Sequence, residues 1–264
     1  MKRIISLCMA FMLVVGLCAC SDSELEEAKS TFNENVSTIE ENNSSIKKEI
    51  KALKKLIKSE PLEESVKTNA KTLIKSAKKD VVKVPECPSS KEDIISENKK
   101  LEKKLDKSNV IQSLKDMKTS YKNSVAQLKQ VTNPSEEFVL ERMNGIANVT
   151  AVKAATEDND PNGNLHKSGG YTSAVFFISD LVSGVISDDP VSEGTDGGGC
   201  IEVYETKEDA EKRNTYLSAF DGSWIDSGSH MVVGTVVIRT SSNLTATQQS
   251  ELETNIYNSL IELR

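Results

Sequence analysis

The chain has 264 residues, with 33 Lys and Arg against 40 Asp and Glu, a formal net charge of −7 and only 5% aromatic residues. So few aromatics argue against one large globular core, and they offer little for stacking on nucleic acid. The charge is also uneven. Residues 21–131 carry 23 Lys, no Arg and 19 acidic groups, whereas residues 132–264 carry 8 basic and 21 acidic groups, so the two parts present different surfaces.

Lys2 and Arg3 open the chain, and an apolar run from Ile4 to Ala19 follows, broken only by Ser6 and Gly16. A membrane-crossing helix needs about 20 apolar residues. A basic start, a shorter apolar stretch and small residues at its end are the pattern of a secretory signal peptide over residues 1–19. Three of the five cysteines fall in this opening: Cys8, Cys18 and Cys20. Leu17-Cys18-Ala19-Cys20 resembles the lipobox of bacterial lipoproteins. The resemblance implies that the Cys20 thiol receives a diacylglyceryl group, that a peptidase cuts before it, and that the mature protein is held on the outer side of the cell membrane. Two or more acyl chains, at about 0.8 kcal/mol per buried CH2, anchor where one would let go.

Residues 20–131 read as a lysine-rich, coiled-coil-like stalk of about three helices. Over residues 23–58 the row Leu25, Ala28, Phe32, Val36, Ile39, Asn43, Ile46, Ile50, Leu53, Ile57 advances in steps of three and four, a heptad-like alternation. Such a helix is about 54 Å long. Asn43, inside the apolar row, is either a register-fixing polar residue or a solvated one in a loose stretch, with Asn42 and Ser44 beside it; the second reading is preferred. Ser59-Glu60-Pro61 ends this helix and starts a second over 61–83. Two prolines in "VPECPSS" (84–90) mark a turn, and a third helix follows over 90–131, with a break near Ser108-Asn109. Helices joined by short turns pack antiparallel. The lysine runs are a solvated face or a contact for anionic lipid head groups or envelope polymers. An unbroken third helix would hold Cys87 roughly 60 Å from the next domain, so no disulfide to Cys200 is expected.

Residues 132–264 read as a compact acidic α+β domain of order α-β-β-β-α-β-α with a mainly antiparallel sheet. Ser135 caps a helix over 136–144, and strands follow at Asn148–Thr156, Tyr171–Ser179 and Cys200–Thr206. A helix over 207–220 presents Ala210, Tyr216, Leu217 and Phe220. Met231–Thr240, apolar on both faces, reads as one central strand. Residues 245–263 form the last helix, with Leu252, Ile256 and Leu260 in line. The glycine-rich acidic link from Asp180 to Gly199 gives little reason for regular structure. The blocks "TEDNDPNGNLHKSGGYTS", "EGTDGGGCIEVYETKEDAEKRNTYLSAFDG" and "GSHMVVGTVVIRTSSNLTATQQSELE" resemble a domain of secreted and lipid-anchored proteins of Gram-positive bacteria. That resemblance covers roughly residues 140–260 and implies location and a shared fold, with no chemistry attached.

Three places carry candidate chemistry. Asp158, Asp160 and Asn162, followed by Gly163, match the start of a calcium loop, with Asp188, Asp189, Glu193 and Asp196 as further oxygen donors. Gly169 stands where a full loop needs glutamate, and Asp160-Pro161-Asn162-Gly163 is equally a favoured β-turn. Cys200 after three glycines is a nucleophile only if His166 or His230 lies beside it; otherwise it is a small apolar residue opening a buried strand. Trp224, the one tryptophan, is an exposed contact or a core residue. No GxSxG, HExxH, GxGxxG or GxxxxGK[ST] motif occurs. The expectation is a membrane-anchored surface protein with a binding or structural domain, whose partners are envelope polymers or another surface protein rather than nucleic acid. The alternative is an envelope enzyme built on Cys200, Asp196 and His230.

Overall fold

The computed structural model describes residues 20–222 and 228–264; the expected signal peptide (1–19), the Cys20 side chain and Trp224 lie outside the described residues. By its contacts the chain divides into two compact units, the first comprising residues up to Lys51 with Lys75–Leu114 and the second Ala52–Ile74 with Lys115–Arg264. The change of surface charge at 131/132 and this division by contacts fall at different places. Among the described residues no helix is long and apolar enough to cross a membrane.

The expected long first helix is α1 (Cys20–Leu56). Its apolar row is buried at Ala28, Phe32, Ile39, Ile46 and Ile50, so the three-four spacing sets its inner face. The second segment departs from expectation. α2 covers only Glu64–Ala77, a 3-10 turn follows at Lys78–Asp80, and Val81 turns the backbone extended. Val81, Val82 and Val84 are β-branched, and Pro85 and Pro88 lack an N–H, so the helix cannot continue to 83. The third segment is two helices, α3 (Lys91–Glu102) and α4 (Ser108–Gln130). Asp106 marks the restart by accepting from both the backbone N–H and the hydroxyl of Ser108.

In the first unit α3 runs alongside α1 in the same direction. Lys91 pairs with Glu24, Asn98 bonds Asn35 and the Ala28 carbonyl, and Asn42 donates to the Leu105 carbonyl. The apolar contact between them is Ala28, Phe32, Ile39, Ile94 and Leu101. Asn43 is buried, not solvated. Its amide donates to the Val82 carbonyl (2.7 Å) and accepts from the Val82 N–H (2.9 Å), supplying both bonds that this backbone loses by leaving the helix.

The second unit is built on a five-stranded sheet of order β1-β2-β3-β5-β4, every pair antiparallel. The strands are β1 (Val149–Ala154), β2 (Ser173–Ser179), β3 (Gly198–Val203), β4 (His230–Val233) and β5 (Val236–Thr240). The helices are α5 (Glu136–Met143), the four-residue α6 (Pro190–Glu193), α7 (Lys207–Ser218) and α8 (Ala246–Ile261). Caps fix their starts: Ser135 accepts from Phe138 N–H, Thr206 from Asp209 N–H, and Thr245 forms a reciprocal box with Gln248. Alternation sorts the strand side chains onto two faces. Val175, Phe177, Ile201, Val203, Val236 and Ile238 pack with α5 and α8. Ala174, Phe176, Cys200 and Val237 pack with Ala210 and Leu217 of α7. This is the expected α+β class.

Three local expectations are corrected. Met231–Thr240 is a hairpin, not one strand: Gly234 (φ 61°) turns the chain, and a Cβ there would meet the Val131 carbonyl oxygen at 2.2 Å. Only β5 is internal, while β4 is an edge. The acidic link contains α6 and a 3-10 turn (Gly194–Gly197), capped by Asp189 and tied by Glu193 to the Ile186 and Ser187 N–H groups. Gly198 and Gly199 belong to β3, not to a loop; a Cβ on Gly199 would lie 2.4 Å from the Phe177 ring paired opposite it.

Candidate binding surface

The sheet places the proposed catalytic residues first. Cys200 on β3 pairs with Arg239 on β5, and Arg239 pairs on its other side with His230 on β4. Two strand spacings, about 10 Å, therefore separate thiol from imidazole, beyond a nucleophile–base hydrogen bond. His230 is engaged elsewhere, Nδ1 with Asn214 (2.7 Å) and Nε2 with Asp221 (3.1 Å). Asp196 contributes its backbone carbonyl, which accepts from Ser241 and Asn243. Cys200 is fully buried, and burial, then the nearby Glu202 charge, push its pKa well up against the pull of Arg239 and Arg213. The geometry does not assemble the Cys200/Asp196/His230 site. His166 lies elsewhere too, an exposed side chain held between Glu157 and the Thr172 carbonyl. Cys87 is exposed, and neither it nor Cys200 is in a disulfide; because the third helix is broken, the 60 Å span drawn from it no longer applies.

The segment that carries the candidate calcium ligands forms a turn, the reading preferred from the sequence. Asp160 Oδ1 accepts from the Asn162 N–H and the Tyr171 hydroxyl, and Oδ2 from the Asn164 and Leu165 N–H groups. Burial alone would raise the Asp160 pKa, but these hydrogen bonds outweigh it and hold the carboxyl below the ordinary range. Asp158 and Asn162 are exposed and Asp189 is taken by Lys153. Among the described residues no group of three His, Cys, Asp or Glu side chains is placed to hold a metal ion.

What the sequence reading missed lies under α7. Glu202 has no exposed surface, yet it accepts four hydrogen bonds: two from Arg213 (2.9 Å each), one from Arg239 (2.8 Å) and one from the Tyr204 hydroxyl (2.8 Å). Burial works to raise its pKa, and the two guanidinium groups and Tyr204 reverse that, so it stays ionised. Tyr204 meets Tyr171 edge to face at 6.1 Å, and burial drives both phenol pKa values upward. A signal was present: Glu202 and Arg239 are single charges within otherwise apolar strands, where a charge must find its partner inside.

An open surface of apolar and polar groups lies where α2, α4 and α8 meet in the second unit. A cavity of about 530 Å³ is lined by Asp116, Thr119, Asn123 and Gln127 of α4, Val66 of α2 and Ile261 of α8, among others. A second cavity, of about 370 Å³, lies between the start of α2 and strand β4. Leu62, Glu63 and Tyr257 line both. The Tyr257 hydroxyl donates to Glu63 (2.9 Å), and burial, reinforced by that bond, pushes the phenol pKa up to about 12. Leu62, Val66 and Ile261 beside carboxylates, amides, hydroxyls and one aromatic ring make a mixed surface that can hold a ligand with apolar and polar parts. Compared with protein-family models, with curated proteins and with solved structures, the chain matches none.

Proposed function

We propose that this is a lipid-anchored surface protein whose α+β unit is a binding module, with helical segments between anchor and module along the chain. The anchor rests on Leu17-Cys18-Ala19-Cys20 after an apolar run. The binding role rests on the two cavities that share Glu63 and Tyr257, because Glu202, Arg239 and Cys200, the chemistry-bearing residues of the sheet, are spent inside it. Mass spectrometry of the protein taken from its native membranes tests the first part. A diacylglyceryl-modified Cys20 at the amino terminus is expected, and an unacylated chain in the cytosol overturns it. For the second, the mature chain and a Tyr257→Ala variant are compared for retention of envelope fractions. Retention by the mature chain and its loss in the variant is the expected result; equal retention, or none at micromolar protein, overturns the assignment to these cavities.

A further inference from the structure

The smaller cavity runs along the edge of β4 rather than over either face of the sheet. Met231, Val232, Val233 and Gly234 all line it, and consecutive strand residues point to opposite faces, so only the edge itself can border all of them. The phase of the hairpin is fixed. Val233 pairs with Val236 across the two-residue turn, and the Thr240 N–H donates to the Ser229 carbonyl at 2.9 Å. Residues 229, 231 and 233 therefore bond inward to β5, and Val232 turns its N–H and C=O outward. Among the described residues neither group of Val232 has a partner.

The walls have a chemical preference. Leu62, Leu128, Met231 and Tyr257 form an apolar side. Glu60, Glu63, Glu64 and Glu211 line the remainder with a single cation, Lys207. Lys67 pairs with Glu60 (2.9 Å) and stands 3.9 Å from Glu64, and Lys207 stands 3.5 Å from Glu211. Four carboxylates against the ammonium groups of Lys67, Lys207 and the more distant Lys71, whose charge also reaches Glu60, leave the rim negative by one. Among the described residues the other unpaired edge, β1, also borders a cavity along Val149–Val152, but Glu141 is the only carboxylate lining it. The strand is interrupted by an irregularity between Val149 and Ala151, and its Lys153 is paired with Asp189, both devices that blunt an edge.

We propose that the β4 edge receives an extended peptide whose side chains alternate between apolar and cationic, added as a further strand of the sheet. Main-chain bonds to Val232 supply the pairing, the Leu62–Tyr257 side takes the apolar residues, and the peptide's lysines or arginines join Lys67 at Glu60 and Lys207 at Glu211. This rests on the reading of the α+β unit as a binding module and names its ligand class.

The test is a titration of the mature chain with a fluorescent, end-blocked hexapeptide of alternating valine and lysine. Saturable one-to-one binding is expected, weakened by salt. Replacing lysine by glutamate should abolish it, and a Glu60→Gln/Glu211→Gln variant, altered only at exposed carboxylates, should weaken it about tenfold. Two further peptides, N-methylated at every lysine or at every valine, separate strand addition from simple charge attraction, and at least one must lose about tenfold in affinity. The proposal is overturned if the glutamate peptide binds as well, if neither methylated peptide is weakened, if the variant binds unchanged, or if nothing saturates by about 1 mM. Any of these, with Cys20 acylated and envelope retention still dependent on Tyr257, removes the peptide and leaves the module.

Discussion

The two units differ in how they bury most of their hydrogen-bonded polar groups. In the first, beside one buried carboxylate at Glu49, neutral amides do it: Asn43 serves both backbone groups of Val82, Asn42 reaches the Leu105 carbonyl, and Asn98 reaches the Ala28 carbonyl. In the second, full charges do it, with Glu202 between Arg213 and Arg239 beneath α7. The difference follows from what each site must satisfy. A break in a helical chain leaves backbone donors and acceptors unpaired, and one amide carries both kinds of partner. A guanidinium in a sheet core needs a carboxylate that can accept several bonds at once.

The contrast predicts graded losses. Glu202→Ala leaves two guanidinium groups buried without a counter-charge and should cost about 3–5 kcal/mol, read from denaturant unfolding. Alkylation gives a second readout. In the wild type exposed Cys87 should react at once and buried Cys200 only through unfolding; in Glu202→Ala, Cys200 should react far sooner. If Cys200 reacts as fast as Cys87 in the wild type, the buried network is misassigned.

Asn43→Ala strips only backbone partners and should cost less, about 1–3 kcal/mol. Hydrogen exchange at the Val82 amide should accelerate while Glu202's neighbours stay protected. Faster exchange spread over both units would mean that they do not fold as separate cooperative bodies. Gly234→Ala adds a Cβ against the Val131 carbonyl at a positive-φ turn and should cost more than about 1 kcal/mol. Its effect should be confined to the second unit.

The smallest effect is at acid pH. Asp160 has a folded pKa below its unfolded value of about 3.9. Its contribution is therefore complete above that value and is lost as pH falls through the lowered folded pKa. An Asp160→Asn variant should flatten the acid limb of stability against pH; an unchanged acid limb would show that the turn does not depend on the carboxylate charge.

Particular residues show what could be read in advance. The three-four row of α1 and the Leu252-Ile256-Leu260 line of α8 face inward as expected, because a helix that buries one stripe must repeat its apolar residues at that spacing. Ser135 caps α5 for a local reason, an unpaired N–H within reach. The hairpin at Gly234-Thr235 was masked by the apolar residues on both sides, although a glycine opening a two-residue turn is itself a hairpin signal. Asp160 looked like a metal ligand because a carboxylate that organises N–H groups and one that holds a cation are written with the same letters.

The sequence alone thus determined most of the helices and strands, the Ser135 cap, the α+β class and the charge contrast between the two parts of the chain. All of these depend on periodicity or on neighbours a few residues apart. Only tertiary structure decided that Asn43 serves Val82, that Glu202 is met by Arg213 and Arg239, and that β4 is an edge beside the acidic residues Glu60, Glu63 and Glu64 at the start of α2. Each is a meeting of residues far apart in the chain, and which side chain satisfies which buried group is fixed by packing rather than by local pattern.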